Sequence, residues 1–171
     1  NDVPVNSLTV ENITFLNGAG EYGGAISAAE VTAVNSRFVS NGALIGGAIA
    51  GYTIDVTDSI FENNEALVGG AITAYNLFVE EDSSVSVTNS TFTQNEAAGG
   101  GAIFSYGVAS VYSSTFDENF ASDFGGAVVS SYGTYVENST FVGNIVEGPG
   151  GALAIGYGGT VVQSTFLNNE S

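Results

Sequence analysis

Apolar and polar residues alternate in short runs along this chain, and the phase of the alternation resets at fixed places. Residues two apart share one face of a strand, so each reset marks a bend where the chain changes face. One run, Gly-Gly-Ala followed by Ile, Val or Leu, occurs six times: Gly23 to Ile26, Gly46 to Ile49, Gly69 to Ile72, Gly100 to Ile103, Gly125 to Val128 and Gly150 to Leu153. In it Ile26, Ile49, Ile72, Ile103, Val128 and Leu153 are expected to point inward. A Val-rich run follows, with pairs such as Val31 and Ala33, Ile54 and Val56, and Val85 and Val87 inward. Its phase breaks at a first bend, at Asn12, Asn35, Asp58, Asn89, Ser113, Asn138 and Gln163. The third run, Ser-x-Phe, turns Phe15, Phe38, Phe61, Phe92, Phe116, Phe141 and Phe166 inward. It ends at a second bend marked by Asn41, Asn64, Asn95, Asn119, Asn144 and Asn169, where the first repeat has Gly18 instead.

The seven phenylalanines are 23, 23, 31, 24, 25 and 25 residues apart. A unit of that size cannot bury its own apolar face and must stack on its neighbours. Three short strands and three bends per period predict an all-β fold, a right-handed parallel β-helix or β-solenoid. It has about seven triangular coils of 23–25 residues, one of them longer. The handedness follows the rule for parallel crossovers. Stacked Phe rings then fill the interior, and stacked Asn amides bond one another and turn carbonyls. The doubled glycines serve the third bend, where φ is positive or two backbones approach closely. No composition shift marks a linker, so residues 1–171 read as one domain without separate caps.

Composition narrows the function classes. There is no Cys, Met, His or Trp, and Arg37 is the one basic residue against 18 acids, a net charge of −17. Such a chain repels nucleic acid and anionic membrane surfaces, so neither is an expected partner. No apolar run reaches membrane-spanning length, and no membrane insertion is expected.

The joint recurrence of Gly-Gly-Ala-Ile/Leu/Val and Phe-x-x-Asn resembles the passenger-domain repeat of the chlamydial polymorphic outer membrane proteins. The resemblance covers nearly the whole chain. It implies a β-helical, autotransporter-type adhesin that acts at the cell surface or outside the cell without catalysis.

Candidate chemistry is sparse. Polysaccharide-cleaving β-helices need a strong base or a paired acid and base; Asp55 and Asp58 could pose as such a pair. Asp58, however, falls in the column held elsewhere by Asn, and no enzyme is expected. The longer repeat carries Glu80, Glu81 and Asp82, a weak Ca²⁺ loop; no cofactor is otherwise expected. Tyr52, Tyr75, Tyr106, Tyr132 and Tyr157 fall five or six residues after the second glycine and form a stripe at the end of the first run. A surface protein or glycan of a host or neighbouring cell could bind there. Asn12, Asn89, Asn138 and Asn169 begin Asn-x-Ser/Thr sequences, but amides buried at bends are poor glycan acceptors. Val3, Val5, Val162 and Phe166 leave apolar ends. They suggest either a longer parent chain or end-to-end self-association into a filament, the alternative to an adhesin.

Overall fold

The computed structural model describes residues 6–75 and 83–171, all in strands, bends and turns. Val3 and Val5, and the acidic loop Glu80, Glu81 and Asp82, lie outside the described residues. The chain winds into a β-solenoid in which each strand pairs, parallel, with its equivalents one coil before and after.

Three sheets run the length of the coil stack. The Val sheet has seven strands, from Ser7–Glu11 to Gly159–Val162, and buries Val31, Ala33, Ile54, Val56, Val85, Val87 and their equivalents. The Phe sheet also has seven, from Thr14–Leu16 to Thr165–Leu167, in strict register: Phe92 pairs with Phe61 on one side and Phe116 on the other. The Gly sheet has six, from Ile26–Ser27 to Leu153–Ile155. Coils are numbered here by their phenylalanines, coil 1 holding Phe15 and coil 7 Phe166.

A fourth face was not foreseen. Glu96–Gly99, Phe120–Phe124 and Ile145–Val146 form a three-stranded sheet between the second bend and the double glycine. In the earlier coils the same stretch, as at Gly42 and Glu65, pairs only through isolated bridges.

The bends are made by left-handed residues. At the first bend Asn12, Asn35, Asp58, Asn89, Ser113, Asn138 and Gln163 all have φ between 45 and 58°. Asn and Asp tolerate that region better than most residues. The second bend turns one residue earlier than the asparagine column, at Asn17, Ser40, Asn63, Gln94, Glu118, Gly143 and Asn168, with φ of 52–60°. The following Asn is thereby free to point inside. At the third bend the two glycines do different jobs. Gly46 has φ of 63°, whereas a Cβ on Gly47 would sit 2.0 Å from the Gly70 carbonyl oxygen of the next coil.

The core is a single column of apolar side chains. Its spine is the phenylalanine stack, with ring centroids 4.6–5.0 Å apart and planes within 10° of parallel from Phe15 to Phe166. Phe38 through Phe141 are fully buried. Truncating one ring removes its own burial and the contact on both faces. Phe92→Ala or Phe116→Ala is therefore expected to destabilise the chain by roughly 3 to 5 kcal/mol, measured by chemical denaturation. Midpoints equal to the parent would place these rings outside the load of the fold.

Candidate functional site

Two polar columns lie inside the coil. Oδ1 of Asn64 accepts from the backbone N–H of Asn41 at 3.0 Å and from its Nδ2 at 2.9 Å. Nδ2 of Asn64 donates to Asn95 Oδ1 at 2.9 Å and to the Phe38 carbonyl at 3.0 Å. The same set recurs at Asn95, Asn119 and Asn144, so each buried amide has a partner for every donor and for its acceptor. Beside it runs a serine column: Ser59 Oγ accepts from the Ser36 N–H at 3.1 Å and donates to the Thr57 carbonyl at 2.8 Å. Coil 1 starts both columns without the side chain. Ile13 and Gly18 donate only through their backbone, to Ser36 Oγ at 3.2 Å and Asn41 Oδ1 at 2.9 Å.

The outside of the Gly sheet is aromatic. Its outward residues Ala50, Thr73, Phe104 and Val129 are nonetheless buried, because the segment before the double glycine folds over them. Thr73 Oγ1, for instance, donates to the Val68 carbonyl at 2.6 Å. The five tyrosines expected as one stripe gather in separate groups. Tyr75 contacts Tyr52 edge-on at 6.0 Å and stacks with Tyr22 at 5.7 Å. Tyr106 lies 4.8 Å from Phe104, which meets Phe124 edge-on at 6.1 Å. Tyr132 and Tyr157 stack at 5.3 Å, and Tyr157 is 82% exposed. Phe104, Phe124, Val129, Ala154 and Ile155 line an open apolar groove of about 350 Å³ between the last two groups.

Tyr22, Phe104 and Phe124 escaped the reading of the sequence. Tyr22 and Phe124 each stand directly before a double glycine, and Phe104 stands between two inward residues, which was the available signal. The absence of a side chain at Gly99 makes room for the two phenylalanines, since a Cβ there would meet the Phe124 ring at 2.8 Å and the Phe104 ring at 3.4 Å.

Asp55 is exposed on the Val sheet, and Asp58 at the first bend accepts a hydrogen bond from Asn89 Nδ2. Arg37 pairs with Glu62 at 3.3 Å, both exposed; Arg37 stands in the outward column of Thr14, Ile60, Thr91, Thr115, Thr140 and Thr165. Among the described residues no group of three or more His, Cys, Asp or Glu is placed to hold a metal ion. Val162 is half-buried and Phe166 is 43% exposed on the last coil.

Two segments, residues 89–106 and 113–131, match the family model described as the Chlamydia polymorphic membrane protein repeat. These two segments, in coils 4 and 5, are similar to that repeat. No curated protein and no solved structure matches the chain. Both matched segments open at a left-handed first bend, Asn89 or Ser113, and run through the phenylalanine, the inner asparagine and the double glycine to the end of the Gly strand. The polymorphic-membrane-protein-like unit thus comprises the ladder residues and two of the three main sheets, and the Val strand lies outside it.

Two predictions follow from the ladders and the aromatic edge. Asn95→Asp keeps the acceptor but loses both Nδ2 donors and buries a carboxylate, whose pKa is raised by desolvation. Destabilisation should be severe at neutral pH, several kcal/mol, and smaller as pH falls and the acid is protonated. Denaturation midpoints of this variant from pH 4 to 7 check the sign.

Burial first, and then the neighbouring Tyr22 and Tyr52, hold the Tyr75 phenol above the usual 10.0. A raised folded-state pKa means that its contribution to stability is complete below the unfolded value and is lost as pH climbs through the folded one. In an ultraviolet phenolate titration, Tyr75→Phe should remove a late-titrating component. An unchanged tail above pH 10 contradicts the cluster.

Proposed function

We propose that this chain is a rigid β-solenoid segment of an extracellular surface adhesin, acting without catalysis by presenting side chains at fixed spacing. The polymorphic-membrane-protein-like repeat supports a place at the cell surface. The observation that carries the reading is the division of labour in the coil. Inward polar side chains of the Asn and Ser columns are consumed by their own ladders, and the variation from coil to coil lies outside, in the aromatic edge. Tyr157 offers one open ring face, and the groove from Phe104 to Ile155 offers apolar area beside it. A surface protein or a glycan fits such a strip, since aromatic rings give large contact area at low entropic cost.

A head-to-tail filament is the weaker reading. Val161, Phe166 and Leu167 are 44, 43 and 52% exposed, which gives such a contact apolar area. The ladder chemistry opposes it. A coil stacked after coil 7 has to offer a serine and an asparagine oxygen to the Ser164 and Asn169 donors, whereas coil 1 of a second copy would bring Ile13 and Gly18. Buried donors left without acceptors cost about 1 to 3 kcal/mol each.

Binding of the labelled chain to intact cells and to immobilised glycans tests the proposal. Tyr132→Ser with Tyr157→Ser should weaken binding by about tenfold or more while the thermal midpoint holds, the weight of an interface hot spot. A parent that binds no surface, or a variant that binds as well as the parent, overturns it.

A further inference from the structure

The four Asn-x-Ser/Thr sequences are not equivalent in the folded rod. Asn169 belongs to the inner ladder: its Nδ2 donates to the Phe141 carbonyl at 2.9 Å, and its Oδ1 accepts from the backbone N–H and Nδ2 of Asn144 at 3.0 and 2.8 Å. Its side chain is directed into the coil and half-buried there, unlike the amides of the first bend. Asn12, Asn89 and Asn138 are instead exposed at the first bend, each left-handed, with φ of 58, 49 and 52°. This corrects the expectation that amides at this bend are buried. The alternation responsible is local: the residue after each, Ile13, Ser90 or Ser139, begins the Phe strand's approach, and Thr14, Thr91 and Thr140 come next on its outward side.

The amide chemistry at the bend is permissive. Asn89 Nδ2 donates to Asp58 Oδ1, and Asn138 Nδ2 to Ser113 Oγ at 3.2 Å. A glycosylated amide keeps one N–H, so either bond survives substitution of the other hydrogen. Asn12 uses its Oδ1, which accepts from Asn35 Nδ2. Beside Asn12 lies an open depression of about 270 Å³, lined by residues that include Asn35, Arg37 and Asp58, with space and hydrogen-bonding groups for a first sugar.

We propose that this bend is a glycan-bearing ridge: the folded rod carries N-linked oligosaccharides at Asn12, Asn89 and Asn138 and excludes one at Asn169. The three sites share one corner, three coils and then two coils apart, about 14 and 10 Å at one strand spacing per coil. That corner joins the Val and Phe sheets, whereas the tyrosines lie where the Gly sheet meets the Val sheet. The glycans therefore cover one edge of the rod and leave the aromatic edge open. The ridge requires export, as the surface reading does.

The test expresses the whole chain behind an added secretion leader in a eukaryotic cell, so that its outcome does not depend on native export. Occupancy is read on the folded monomer by glycopeptide mass spectrometry, before and after peptide N-glycosidase. Modification is expected at Asn12, Asn89 and Asn138 and absent at Asn169. Thr14→Ala, Thr91→Ala and Thr140→Ala should each abolish one site, and enzymatic deglycosylation should leave the thermal midpoint unchanged. A folded monomer bare at the three exposed sites, a glycan on Asn169 in folded protein, or glycosylated chains confined to aggregate overturns the ridge.

Discussion

An inward side chain of this rod meets the occupant of the same position in the adjoining coils, at the 4.6–5.0 Å recorded by the phenylalanine rings. Only chemistry complementary to itself survives that arrangement. An aromatic ring stacks on a ring, an amide both donates and accepts, and a hydroxyl does the same. A carboxylate would face its own charge across one strand spacing, which is unfavourable even on a solvated sheet. The interior is accordingly rich in Phe, Val, Ile, Ala, Ser and Asn, and the acids among the described residues are left to the outside and the bends. Glycine enters for a related reason: where carbonyls of adjacent coils come closest, as at Gly47 and Gly70, even a methyl group is too large.

Because every coil obeys the same constraint, most of the architecture was legible in the chain itself. The Val, Phe and Gly sheets follow from the alternation, and the first bend falls where its phase breaks. The second bend was misread by one residue. A break in alternation does not say whether the last residue or the next one turns, and Asn attracts the assignment because it tolerates left-handed angles. In the folded chain Ser40, Gln94 and Glu118 take those angles instead, and the asparagine after each is spent on the ladder. The fourth sheet went unseen because Glu96–Gly99 and its neighbours are short and small, without a clear period. The aromatic edge was seen as a column, but loop length sets which rings touch. Tyr132 and Tyr157 stand one residue further from the glycine than Tyr52, Tyr75 and Tyr106, and the rings fall into groups.

The two sides of the coil also differ in what they can tolerate. An inward change is felt in three coils at once, since each ladder residue serves the one before and the one after. An outward change is felt locally, as the mixture of Thr, Arg37 and Ile60 in a single column illustrates. The family match fits this division, because it spans the ladder residues from first bend to Gly strand and stops short of the Val strand.

The asparagine column has a direction as well as a spacing. Every inner amide from Asn64 to Asn144 receives hydrogens on its oxygen from the asparagine of the coil before it; it passes one of its own to the asparagine of the coil after and returns the other to a phenylalanine carbonyl of the coil before. Aligned peptide dipoles sum along a helix into partial charges at its two ends. Aligned side-chain amides sum in the same way along this rod, adding a fixed dipole whose positive pole is at coil 7 and whose negative pole is at coil 1. In a molecule with a single base against 18 acids, that makes the two ends of the amide column electrically unlike.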